Sequence, residues 1–205
     1  VYAGAFIDLR KGPVVVSPVD PEGHYFSVEL SDLYTNNFAY LSKRSGGPLF
    51  GNFLLVPPGW KGELPKGRFD RVIDCPQKWV FALIRLRIDQ DDEKEVSWAK
   101  ARFAQTKITP LDDFLAGRTF VASEKNVFDV SKLAGNPLRP FVILNHMLIE
   151  NPPPAAESIL LDGFKTVNIG PGMDLSKNTP ETNRGLARAA RDGLRVLRSQ
   201  VERPW

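Results

Sequence analysis

Trp79-Val80-Phe81-Ala82-Leu83-Ile84-Arg85-Leu86-Arg87-Ile88 decides how the chain folds. Val80, Ala82, Ile84, Leu86 and Ile88 share one face of an extended backbone, because side chains in a strand alternate. Trp79, Phe81 and Leu83 load the other face until Arg85 and Arg87 replace them. The segment therefore reads as a strand buried on both faces at its start and wet on one face at its end.

Working outward, the sequence before it breaks into short apolar runs divided by turn residues. Residues 1–9 and 14–16 are two such runs, split by Gly12-Pro13. Asp20-Pro21-Glu22-Gly23 forms a turn, since proline presets φ and glycine accepts the left-handed region. Phe26, Val28 and Leu30 then alternate with Tyr25, Ser27 and Glu29. Further strands are expected at residues 33–41, 52–56 and 69–75, with turns at Ser45-Gly46-Gly47-Pro48 and Pro57-Pro58-Gly59-Trp60-Lys61-Gly62. Turns at this spacing, with no helix-length pattern between strands, predict an antiparallel β-sandwich or jelly-roll-like sheet rather than parallel βαβ order.

Beyond Ile88 the period changes to that of helices. Residues 91–105 begin acidic and end basic, which complements a helix dipole, with Val96, Ala99 and Phe103 as the apolar stripe. Asn136-Pro137 reads as a helix start, with Leu138, Phe141, Val142, Asn145, Leu148 and Ile149 following at helical spacing to Pro152-Pro153-Pro154. Residues 155–167 predict another helix. Thr179-Pro180 opens the last, with Leu186, Ala190, Leu194, Leu197 and Val201 as its buried stripe and Pro204 as its stop. The class is thus α+β: a sandwich-like part over residues 1–118, then a helical part over 119–205 that packs on it and ends in a linker helix.

Composition narrows the function classes. With 205 residues, 42% hydrophobic and 25% charged, the chain can bury a core without staples. No apolar run approaches the ~20 residues of a membrane helix. A net charge of +3 suits nucleic acid only where the charge clusters beside aromatic platforms, so no nucleic acid is expected. The single cysteine, Cys75, has no disulfide partner and lies in an apolar stretch, which marks it as an inert buried thiol. The chain opens at Val1 inside an apolar run, so a leading segment is expected ahead of it.

Signatures for nucleotide, hydrolase and zinc-protease chemistry are absent, and no cofactor or metal is expected. Asp89-Gln90-Asp91-Asp92-Glu93 lacks the glycine and glutamate positions of a calcium loop and reads as a helix entry. His146, beside Asn145, reads as a helix-surface or satisfied core histidine, whereas His24 borders a turn, where pocket residues often lie. Asp32-Leu33-Tyr34-Thr35-Asn36-Asn37 is the most polar stretch of an otherwise apolar region. Its side chains either tie down a bulge or strand crossing, or line a pocket in which Tyr34 stacks while Asp32 and Asn36 hydrogen-bond a ligand. Arg85 either pairs with a framework acid or holds an anionic group. Arg184, Arg188, Arg191, Arg195 and Arg198 recur at steps of four, three, four and three, which puts them on one helix face, either solvated or docked on a partner.

Six segments taken in order resemble the domain of unknown function 1254 family: residues 2–15, 24–36, 51–62, 109–111, 151–154 and 169–172. Gly59-Trp60-Lys61-Gly62 and the strand before it are the most specific. The resemblance implies a sandwich-like domain with helices, usually followed by a second sandwich, the domain of unknown function 1214. It also implies export in bacteria, with the periplasm as the expected compartment. An asparagine-x-aspartate-threonine segment normally precedes the first strand of that family and is not found here.

Two functions follow as expectations. One is a binding or assembly module that docks a second sandwich domain or forms a homo-oligomer, with Arg184, Arg188, Arg191 and Arg195 facing the partner. The other is an enzyme acting on a small or carbohydrate-like substrate in the sheet concavity. There Asp32 would act as acid or base, Tyr34 and Asn36 would orient the substrate, Arg85 would hold an anionic group, and His24 would lie nearby.

Overall fold

The computed structural model describes residues 1–45, 47–120 and 129–201. The chain divides into two compact units, Val1–Ser123 and Glu124–Trp205. The whole is α+β, with two sheets in the first unit and a helical second unit.

Among its described residues the first unit holds eight strands: β1 Tyr2–Asp8, β2 Val14–Ser17, β3 Phe26–Ser31, β4 Asn37–Ser42, β5 Phe53–Val56, β6 Arg71–Asp74, β7 Trp79–Leu86 and β8 Lys107–Pro110. They form two four-stranded sheets, ordered β1-β7-β3-β4 and β6-β5-β2-β8. The deciding segment is β7, the second strand of the first sheet, flanked by β1 and β3 with both pairings antiparallel. Its Val80, Ala82, Ile84 and Leu86 are buried, while Arg85 stands in solvent on the opposite face. These side chains meet Val28, Leu30 and Leu41 of their own sheet and Val14, Val16, Phe53 and Leu55 of the other in one core.

The second sheet is buried on both faces. Val15, Leu54 and Val56 point away from the shared core and pack with Leu111, under Trp60, Leu64, Phe69 and Phe114. This is why β2 and β5 read as unbroken apolar runs, Val14-Val15-Val16 and Phe53-Leu54-Leu55-Val56, instead of alternating. Residues 57–70 carry the chain from the end of β5 back to its start, so β6 runs parallel to β5. The second sheet is therefore mixed, while the first is antiparallel throughout, as the sequence leads one to expect. A loop that spends its apolar residues covering a sheet face does the work that a crossover helix usually does.

The described residues of this unit also form two α-helices, α1 Glu93–Gln105 and α2 Leu111–Leu115. Asp92 caps α1, its carboxylate accepting from the Lys94 amide at 2.8 Å. The second unit contains α3 Arg139–Glu150, α4 Ser158–Lys165 and α5 Pro180–Val201. Helix α3 starts later than Asn136-Pro137 suggests. Asn136 accepts from the Leu138 amide in a turn ahead of the helix, and Pro140, not Pro137, occupies its first turn. The expected strand over residues 33–41 is likewise shorter, because residues 32–36 form a tight turn and β4 begins at Asn37.

Ile169, Leu175 and Leu186 form a small core in the second unit. An asparagine network does more of the bracing. Buried Asn145 on α3 donates to the carbonyls of Asn168 and Met173 at 2.9 and 2.8 Å and accepts from the Gly170 amide at 2.9 Å. Asn168 donates to Asn178, Asn178 to the Val167 carbonyl and to Asn183, and Asn183 to the Leu175 carbonyl. The Ile169-Gly170-Pro171-Gly172 segment is thereby tied to α3 and α5.

Candidate functional site

The residues singled out in the first unit do not converge. Asp32 is buried at the β3–β4 turn, just after a register shift between Leu30 and Ser31. Its Oδ1 accepts from the backbone amides of Tyr34 and Asn36 at 2.8 and 2.9 Å, and its Oδ2 from the Asn36 side-chain amide at 3.0 Å. Thr35 sits between them at φ 64°, a left-handed conformation that these bonds hold in place. Asp32 and Asn36 thus tie down a turn beside a bulge. Burial, and then the nearby Asp32 carboxylate, push the Tyr34 phenol above its ordinary range.

His24 and Arg85 belong to the other end of the same sheet. Arg85 pairs in register with Ser27, whereas the turn follows Ser31, a distance of roughly 13 Å at strand rise. The Arg85 guanidinium lies 5.1 Å from the Tyr2 ring centroid on the outer sheet face. His24 stacks on Trp98 of α1 with ring centroids 4.2 Å apart. Around that stack, the Glu22 carboxylate accepts from the Trp98 indole at 3.1 Å and from Arg102. Glu22 adopts φ 51°, so a non-glycine residue holds a left-handed turn position to reach α1. This cluster pins the β2–β3 turn to α1, and the Glu22 contacts span 76 and 80 residues of sequence, which hides it from local pattern reading.

Cys75 is buried, and desolvation pushes its thiol up to about 12. In the second unit His146 lies 3.7 Å from Glu150, one helical turn on. Among the described residues no group of three or more His, Cys, Asp or Glu side chains could hold a metal ion. Nor is any helix among them long and apolar enough to cross a membrane.

The feature that gathers most chemistry in one place is α5. Thr179 caps it, its Oγ1 accepting from the Thr182 amide at 3.2 Å. Glu181 in the first turn is held below the usual carboxylate range by the helix-start backbone N–H and then by Arg184. The sequence expects a buried stripe along the whole helix, and the structure limits burial to its first turns. Leu186 is 9% exposed, but Leu194, Leu197 and Val201 are 53%, 65% and 85% exposed. A helix of 22 residues spans roughly 33 Å, far longer than the small core that receives Leu186.

Spacing by about 3.6 residues per turn sets the five arginines along one face of α5 and the leucine–valine stripe along a neighbouring face, roughly 120° round the helix. Arg184 pairs with Glu181 at 2.6 Å and Arg195 approaches Asp192 at 3.5 Å. Arg188, Arg191 and Arg198 have no ion-pair partner among the described residues. The result is a strongly amphipathic helix whose apolar side faces solvent over its last turns.

A family model described as protein of unknown function (DUF1254) matches residues 1–110. No curated protein matches the chain. Among solved structures the chain is similar to the VPA0106 protein from Vibrio parahaemolyticus, at 23% identity and a TM-score of 0.67. That likeness covers 97% of this chain and 48% of the other, so the chain spans about half the length of that protein. At this identity the likeness shows the fold alone.

Proposed function

The chain belongs to the DUF1254 family, and from that premise we propose that it is a binding and assembly module whose helix α5 receives a second folded body. The observation that carries this reading is the apolar stripe of Leu194, Leu197 and Val201, more than half exposed along one side of a helix. Apolar surface of this kind is stabilised by covering it, at roughly 25 cal/mol per Å². The partner is a further sandwich domain of the same polypeptide, of the size by which the solved relative exceeds this chain, or a second copy of the protein. Arg188 and Arg191, free of ion pairs among the described residues, form the polar margin that selects an acidic rim on the partner. Resemblance to exported bacterial proteins supports a periplasmic setting, which release of the natural protein by osmotic shock would check.

Light scattering on the natural full-length protein, with limited proteolysis of α5, tests the reading. Leu194→Asp with Leu197→Asp is expected to expose α5 to cleavage and to dissociate any oligomer. Arg188→Ala with Arg191→Ala is expected to weaken the contact and reduce its salt dependence. Unchanged cleavage and mass in the leucine pair would refute it.

A further inference from the structure

A cleft of about 830 Å³ opens in the first unit, within the range of roughly 300–1,000 Å³ usual for small-molecule sites. It contains none of His24, Asp32, Tyr34, Asn36 or Arg85. It is independent of α5, so it neither needs nor tests the assembly reading. Four parts of the chain meet there: the end of β2, the approach to β5, the junction of α1 with β8, and α2 with the residues just after it.

The lining combines aromatic faces with two carboxamides, of which Asn52 is held in place. Phe50 is exposed, and Phe114 is held by Phe69 at a centroid distance of 5.8 Å. Asn52 is oriented from two sides. Its Oδ1 accepts from Ser17 Oγ at 2.9 Å, and its backbone amide donates to Asp70 at 2.7 Å. Its Nδ2 has no partner among the described residues and remains a donor. Gly51 precedes it at φ 127°, and a side chain there would collide with the Asp70 carboxylate, so the backbone approach is built for this contact. Gln105 supplies a second carboxamide, and the last carbonyls of α1 lack partners within the helix.

Charge at the cleft is balanced. Lys107 is offset by Asp20, and Arg118 is paired with Asp113 at 2.8 Å. A site with no net charge, aromatic rings for apolar ring faces, and both donors and acceptors for hydroxyls fits a neutral polyhydroxylated ligand. We propose that this cleft binds a neutral oligosaccharide, with Phe50 and Phe114 against sugar faces and Asn52 and Gln105 hydrogen-bonded to hydroxyls.

The test titrates the whole chain with maltotriose, cellotriose, laminaritriose and chitotriose, and separately with trigalacturonate as an anionic probe, while backbone amide resonances are followed. At least one neutral trisaccharide at millimolar concentration is expected to shift amides of residues 17–20, 50–52 and 104–109. Phe50→Ala and Gln105→Ala are each expected to weaken that binding about tenfold, the effect of losing one well-placed contact, with unchanged thermal unfolding. Three results would overturn the proposal: no shift with any neutral trisaccharide, shifts that persist at full strength in both variants, or binding of trigalacturonate alone.

Discussion

Asp32 brings three donors to one buried carboxylate, two of them backbone amides of a turn whose Thr35 is left-handed. Removing it leaves amides without acceptors, so Asp32→Ala should cost about 3 kcal/mol in urea unfolding. Asp32→Asn keeps one carbonyl oxygen for the two backbone amides and should cost about half as much. Equal losses in the two variants would mean that the charge, not the acceptor geometry, matters. The polar character of residues 32–37 is legible in the sequence; its use is not, because the same side chains suit a pocket until the φ of Thr35 is known. Cys75 behaves as its apolar neighbours suggest. Its folded-state thiol, pushed up to about 12, keeps a proton that the unfolded chain releases near 9, so this group's share of stability is present below pH 9 and lost as pH rises toward 12. Cys75→Ala should flatten the alkaline fall in stability over that window. Native Cys75 should resist iodoacetamide at pH 8 and react fully in urea, as mass spectrometry would read. Gly62 has a packing reason within Gly59-Trp60-Lys61-Gly62: a Cβ there would strike the Trp60 ring, which itself covers the second sheet.

Elements were legible where one face meets solvent and obscure where none does. Strand β7 declares itself by alternation, and α1 by its charges and Asp92 cap. Strand β8 and helix α2 do not, since four and five residues are too few to establish a period. The parallel β5–β6 pairing depends on the path of residues 57–70, which no local pattern records. The stripe of α5 was readable as apolar, but whether anything lies against it is a property of the rest of the molecule. The attachment of the β2–β3 turn to α1 offers a test at this scale. Glu22 reaches Trp98 and Arg102 from a left-handed backbone position, and an L-residue there is strained by roughly 1–2 kcal/mol. Glu22→Ala loses the contacts and keeps the strain, whereas Glu22→Gly loses both. Glycine should therefore be the milder substitution by about 1 kcal/mol in thermal or urea unfolding. If alanine proves the milder, the turn is not strained in solution.

The two units are stabilised by different means, and this sets how the whole chain should unfold. In the first, an apolar core draws on both sheets, with a second cluster on the far face of the sheet that contains β5. Burial of that extent supports cooperative folding of residues 1–123 by themselves. In the second, Ile169, Leu175 and Leu186 form the buried cluster among the described residues, and four asparagines connect the segments around it. Hydrogen bonds of this kind contribute little net stability while intact, yet breaking them strands buried groups at about 1–3 kcal/mol each. Asn145→Ala removes three bonds at once and leaves the Gly170 amide and two carbonyls to find other partners. It should therefore melt the helical unit first. Trp60, Trp79 and Trp98 all lie in the first unit, so in a Trp205→Phe background fluorescence reports that unit, and helical circular dichroism reports mostly the second. In wild type the two signals should fall close together or in adjacent steps. In Asn145→Ala the dichroism midpoint should drop by several degrees while the fluorescence midpoint holds. A joint shift of both signals would mean that the units fold as one cooperative body, and that the self-contained cores do not govern stability.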